Sequence, residues 1–140
     1  MTGLEISPNC EAEAARLLGE AGLTDQVTRR FLDIAQAPGE AEPADVVVLH
    51  RVVCCYRGYA ALLTAAAGHA RTTLADSHPA ANAINRAQFG TENLYRWFTR
   101  NDFRVFIHPP QGMVRAAESE GMTVAFRGRA RAWDVVGLVR

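Results

Sequence analysis

Two carboxylates each close a short strand-like segment. Leu4-Glu5-Ile6-Ser7-Pro8 runs from an apolar strand through an acid into a helix start, and Val27 to Leu32 alternates apolar with polar or basic residues before ending at Asp33. An acid at the carboxyl end of a parallel strand is where doubly wound α/β proteins hold the two hydroxyls of a ribose, because one carboxylate can accept both hydrogen bonds. The pattern points to an adenosine-type ligand. In such folds the acid belongs to the second strand and follows a glycine-rich turn. No such turn precedes Glu5 in this sequence.

The other residues that could do chemistry are less eloquent. Cys10, Cys54 and Cys55 are an odd count without the spacing of a zinc site or a disulfide framework. Reduced thiols are expected, with the adjacent pair read as small apolar residues beside a buried strand rather than as a redox couple. Arg127, Arg129 and Arg131 share one strand face by their period of two and are expected on a solvated edge, where charge discourages chain-to-chain pairing. His78 and His108 each stand next to proline and are placed in loops.

These side chains must be positioned by one soluble domain, since 140 residues with 49% apolar and 21% charged content suffice for a single core. Fifteen basic residues balance fifteen acidic ones, which leaves no electrostatic footprint for nucleic acid or anionic lipid. No apolar run approaches the roughly 18 residues that would span a bilayer, and a secretory signal layout is absent. A cytoplasmic location is the expectation.

The elements alternate. Ser7 can cap a helix with Pro8 at its first position, Ala14, Leu17, Leu18 and Ala21 recur at helical spacing, and Gly22 supplies the stop. After a surface connection over residues 36–43, the run Val46-Val47-Val48-Leu49 predicts a central parallel strand buried on both faces. Residues 58–70 suit a packed helix and residues 71–76 a further short strand. Residues 79–101 read as two helices interrupted at Gly90, followed by an extended lead-in over Phe103, Val105 and Ile107 and a helix from Gln111 to Glu120. Met122 to Arg127 and Ala132 to Val139 predict a closing antiparallel hairpin around Gly128.

In that order and spacing, Leu4-Glu5-Ile6-Ser7, Phe31-Leu32-Asp33-Ile34 and residues 44–56, ADVVVLHRVVCCY, resemble the class I S-adenosylmethionine-dependent methyltransferases. The resemblance covers essentially the whole chain and implies an α/β, Rossmann-like three-layer sandwich: a mostly parallel sheet that ends in an antiparallel hairpin. By that resemblance Glu5 matches the acid that binds the ribose of S-adenosyl-L-methionine, and Ile6 the apolar residue that packs on adenine. Asp33 matches the acid that accepts from the adenine amino group, with the Ile34 amide facing the ring. Leu49 and His50 match the lip of the fourth strand, where the methionyl part of the cofactor and the methyl acceptor meet. Each assignment has a structural alternative, Asp33 as a turn cap and His50 as an ordinary loop histidine.

The sequence departs from that family in one respect. Members begin with a strand and an acid-x-Gly-x-Gly turn whose backbone approaches the methionine portion, and no candidate for either exists here. The first strand lies mid-sheet between the second and the fourth, so its loss leaves their shared edges unpaired. Four or five buried aliphatic side chains would stabilise by about 6 to 15 kcal/mol, comparable to a whole domain's stability of about 5 to 15 kcal/mol. The expectation is therefore a single, N-terminally incomplete methyltransferase-like domain, through gene truncation or a late start codon, with Met1 inside the second strand.

The implied reaction is in-line displacement at the sulfonium methyl, in which the protein mainly aligns the reactants. His50 is the candidate base. The Asn-Pro-Pro-aromatic loop of methyltransferases acting on amino groups of nucleic acid bases and of glutamine is missing, which favours a small-molecule acceptor, with no nucleic acid or membrane partner. The alternatives are a non-catalytic remnant that acts as a binding module, in a homo-oligomer or with a strand-donating partner, and a nucleotide-dependent oxidoreductase, against which the missing dinucleotide fingerprint counts.

Overall fold

The computed structural model describes all residues from Met1 to Arg140. The chain divides into two compact units, Met1–Glu42 and Pro43–Arg140.

In the first unit, β1 (Thr2–Glu5) and β2 (Thr28–Phe31) form a two-stranded parallel sheet with Glu5 opposite Phe31. Between them lie a 3-10 turn at Pro8–Cys10 and helix α1 (Glu11–Glu20). Pro8 takes the expected first position, but Ser7 makes no side-chain cap bond; its carbonyl instead accepts from the Cys10 amide. The Ser7 role is replaced by Glu5, whose carboxylate takes the amides at the start of the turn. Gly22, at φ 67°, ends the helix as predicted: its amide donates to Gly19, and the next amide, Leu23, reaches back to Leu18.

The second unit holds a four-stranded sheet in the order β3 (Ala44–His50), β4 (Ala70–Pro79), β6 (Trp133–Val139), β5 (Thr123–Ala130). β3 and β4 are parallel, and β6 runs antiparallel to both of its neighbours. Helix α2 (Tyr59–His69) makes the crossover from β3 to β4 and packs on α4 (Pro110–Glu118). The core is built from both helices and the sheet, with Leu63, Leu74, Met122 and Val53 fully buried.

β3 is not the covered central strand that its aliphatic run predicts. It pairs only with β4, and Val46 and Val48 remain 54% and 62% exposed while Leu49 is buried. The run signals a strand that wants burial on both sides, and only one side of it is covered. β1 likewise pairs with a single strand, β2. Each of these strands thus keeps one edge unpaired within its own unit.

Three further expectations change in detail. Residues 83–98 form one helix, α3, that passes through Gly90. A Cβ at Gly90 would meet nothing, so glycine marks no break; Asn82 starts the helix by accepting from the Asn85 amide. Phe103 to Ile107 forms no paired strand. The hairpin turns at residues 131–132, with Arg131 at φ 57°, and Gly128 lies inside β5 opposite Val135. Arg131 therefore leaves the strand face shared by Arg127 and Arg129, both exposed on the outer strand. The three cysteines are free thiols, but the adjacent pair is not packed as two small apolar residues: Cys54 is buried and Cys55, one residue further along a 3-10 turn, is exposed. No helix is long and apolar enough to cross a membrane.

Candidate functional site

Parallel pairing fixes where the two acids stand. Because Glu5 is the last residue of β1 and lies opposite Phe31, two residues before Asp33, both carboxylates project from the same C-terminal rim of the two-stranded sheet. The Leu32 amide donates to the Glu5 carbonyl at 3.1 Å and carries the pairing to that rim. Oε1 of Glu5 accepts from the amides of Ile6 and Ser7, each at 2.8 Å. Both of these bonds fall on one oxygen, so the carboxylate is oriented by its own turn. Asp33 also shapes a turn: Oδ1 accepts from the Ala35 amide at 3.0 Å, and its carbonyl from the amides of Gln36 and Ala37. Ile6 is exposed beside Glu5, and Ile34 is partly covered.

In the second unit the carboxyl end of β3 is held by its neighbour. The Ser77 hydroxyl meets His50 Nδ1 at 2.9 Å and accepts from the Arg51 amide at 3.1 Å. Arg51 adopts φ 58°, and its guanidinium lies 4.4 Å above the Trp133 ring. His50 is exposed, and its Nε2 is the nitrogen that the Ser77 contact does not engage. Leu49 is buried, so only its backbone is available at the end of the strand.

Sequence reasoning missed the residues beside this strand end. His78 lies in β4 rather than in a loop, buried together with Asp76, with Nδ1 2.6 Å from the Asp76 carboxylate. The period-two spacing of Asp76 and His78, which puts both on one strand face, was the signal available. His108 is a structural clamp: Nε2–H donates to the carbonyls of Val53 and Tyr56 at 3.1 and 3.0 Å. Its ring sits 4.5 Å from that of Tyr59, and burial lowers its pKa.

No family model matches the sequence, and no curated protein matches it. Solved structures do match. The magnesium protoporphyrin IX methyltransferase of Synechocystis, solved with S-adenosylhomocysteine bound, superposes with a TM-score of 0.72 at 20% identity over 99% of this chain and 63% of its own. An O-methyltransferase family protein from Burkholderia thailandensis superposes with a TM-score of 0.78 at 17% identity, over 99% of this chain and 43% of its own. The fold is that of the class I methyltransferases. An O-methyltransferase family 2 protein from Planctomyces limnophilus, in complex with apigenin, matches with a TM-score of 0.72 at 14% identity, over 99% and 43% of the two chains. The chain spans about half the length of the structures it resembles.

Proposed function

We propose that the protein serves S-adenosyl-L-methionine-dependent methyl transfer to a small-molecule acceptor. The observation that carries the reading is the placement of Glu5 and Asp33 on one rim of adjacent parallel strands. A carboxylate held by two amides through Oε1 has Oε2 to accept both ribose hydroxyls. Exposed Ile6 would cover the adenine, Asp33 would accept from its amino group, and the Ile34 amide would face the ring.

The donor set fits the nucleoside end. The cofactor, when bound, supplies the electrophilic methyl group. His50, its Nδ1 engaged by Ser77, would receive the acceptor's proton at Nε2. The neighbours acting on protoporphyrin and binding apigenin support the small-molecule class of acceptor.

A second reading, a non-catalytic module that receives a strand from a partner or a second copy, is favoured by the unpaired edge of β3 with exposed Val46 and Val48. Calorimetric titration with S-adenosylhomocysteine separates the two. Measurable heat that Glu5→Ala diminishes supports the enzyme reading, and no heat with well-folded protein supports the module. Where binding is found, His50→Gln should lower turnover and leave nucleoside affinity unchanged.

A further inference from the structure

The 3-10 turn Val53–Cys55 directly after β3 places two neighbouring thiols together. Along an extended strand adjacent side chains point to opposite faces. Here the chain turns, and the sulfurs of Cys54 and Cys55 lie 3.8 Å apart, with the Arg51 carbonyl 3.4 and 3.6 Å from them. Cys54 is buried and Cys55 exposed. The turn is fixed from outside: the Phe106 amide donates to the Cys54 carbonyl at 2.7 Å, and His108 donates to the carbonyls of Val53 and Tyr56 on either side. No third histidine, cysteine, aspartate or glutamate completes a metal-binding group around the pair.

We propose that Cys54 and Cys55 form a vicinal dithiol site that captures organic trivalent arsenicals, and soft electrophiles of that class, through both sulfurs. A monosubstituted trivalent arsenic carries one carbon and needs two further bonds, which is the donor set present. Cys55 supplies the attacking thiolate: the hydrogen bond from Cys54 lowers its pKa to about 7, assisted by the charge of Arg96. Cys54, pushed up by that same bond and by burial, keeps its proton for the second step. With phenylarsine oxide, the Cys55 thiolate forms the first arsenic–sulfur bond as the arsenic–oxygen double bond opens, and the oxygen becomes hydroxyl by taking from solvent the proton that Cys55 released. Cys54 forms the second as that hydroxyl leaves with the Cys54 proton. One water is released, arsenic remains trivalent, and no oxidant is consumed.

Chelation suits this geometry better than a disulfide. A disulfide would draw the sulfurs from 3.8 Å to about 2.05 Å. Adjacent residues have Cα atoms about 3.8 Å apart across a trans peptide, short of the roughly 4.4 Å minimum usual for a disulfide. Closing that ring would twist the peptide that the Phe106 and His108 bonds hold.

The test is intact-mass titration of the full chain with phenylarsine oxide. One adduct per chain is expected, retained in excess glutathione and released by a dithiol. Cys55→Ser, an exposed change that leaves the core alone, should raise the concentration for half-labelling by about 100-fold through loss of the tethered second ligand. Cys10→Ser should leave it unchanged. An adduct that glutathione removes from the unaltered chain, one that forms in Cys55→Ser at the same concentration as in the unaltered chain, or one confined to Cys10 overturns the proposal. So does a Cys55 alkylation rate that shows no rise around pH 7. None of these outcomes depends on cofactor binding, so failure here leaves the methyltransferase reading untouched.

Discussion

Met1–Glu42 and Pro43–Arg140 hold their polar residues in place by different means. Of seventeen buried hydrophobic residues, only Leu32 belongs to the first unit; the rest line the second. Glu5 and Asp33 are oriented by amides one to four residues away in sequence. His50, Asp76 and His78 are oriented across strand pairs and between neighbours on a buried strand. Local bonds can aim a carboxylate without a core, but a core is what resists opening. The proposed nucleoside-binding acids thus stand on the weaker of the two frameworks.

The largest test of that contrast is cavity formation. Leu74, fully buried in β4, should cost about 2 to 5 kcal/mol when changed to alanine. Leu4 in β1, at 36% exposed, should cost less than about 1 kcal/mol. Denaturant unfolding of both variants measures the difference, and equal losses would break the comparison. Amide exchange sharpens it: amides of β4 and β6 should exchange only by global opening, whereas those of β1 and β2 should exchange early. Protection of equal depth in both sheets would mean that the first unit is stabilised in a way its own side chains do not reveal.

Much of this architecture was legible in residue pattern. The alternation of elements, Gly22 as a helix stop, the two acids closing adjacent strands and the terminal hairpin all follow from local chemistry. The errors have a common physical cause. Val46 to Leu49 reports what a strand would bury if it were covered, not whether a neighbour exists. Gly90 looked like a breaker, yet on an exposed helix face a glycine costs only about 1 kcal/mol and is carried along. His78 was obscured because proline at position 79 suggested a loop after a strand ending at Asp76, whereas β4 runs on to Pro79 itself, the residue paired with Trp133 in β6.

A smaller effect concerns the Glu5 turn. Glu5→Ala removes the acceptor of the Ile6 and Ser7 amides and should destabilise by about 1 kcal/mol, while Glu5→Gln, which keeps an oxygen acceptor, should recover part of the loss. If both variants weaken nucleoside binding alike but only alanine lowers stability, the charge serves the ligand and the acceptor serves the turn. Equal stability of all three proteins would remove the local account of how the carboxylate is aimed.

The smallest expected effect lies in the second unit and has a definite sign. Burial is the leading cause that lowers the pKa of His108, with its bonds to Tyr56 and Val53 pulling the other way. The unfolded chain therefore binds this proton more readily than the folded one, and stability declines as the pH falls through the ordinary histidine value of about 6.5. Above that range the group is neutral in both states and contributes no slope. Unfolding free energies at successive pH values between about 7.5 and 5.5 should fall on acidification, and His108→Gln should flatten the decline. A wild-type curve that is level or rises toward acid would mean that the carbonyl bonds outweigh burial, making His108 an imidazolium clamp rather than a neutral one.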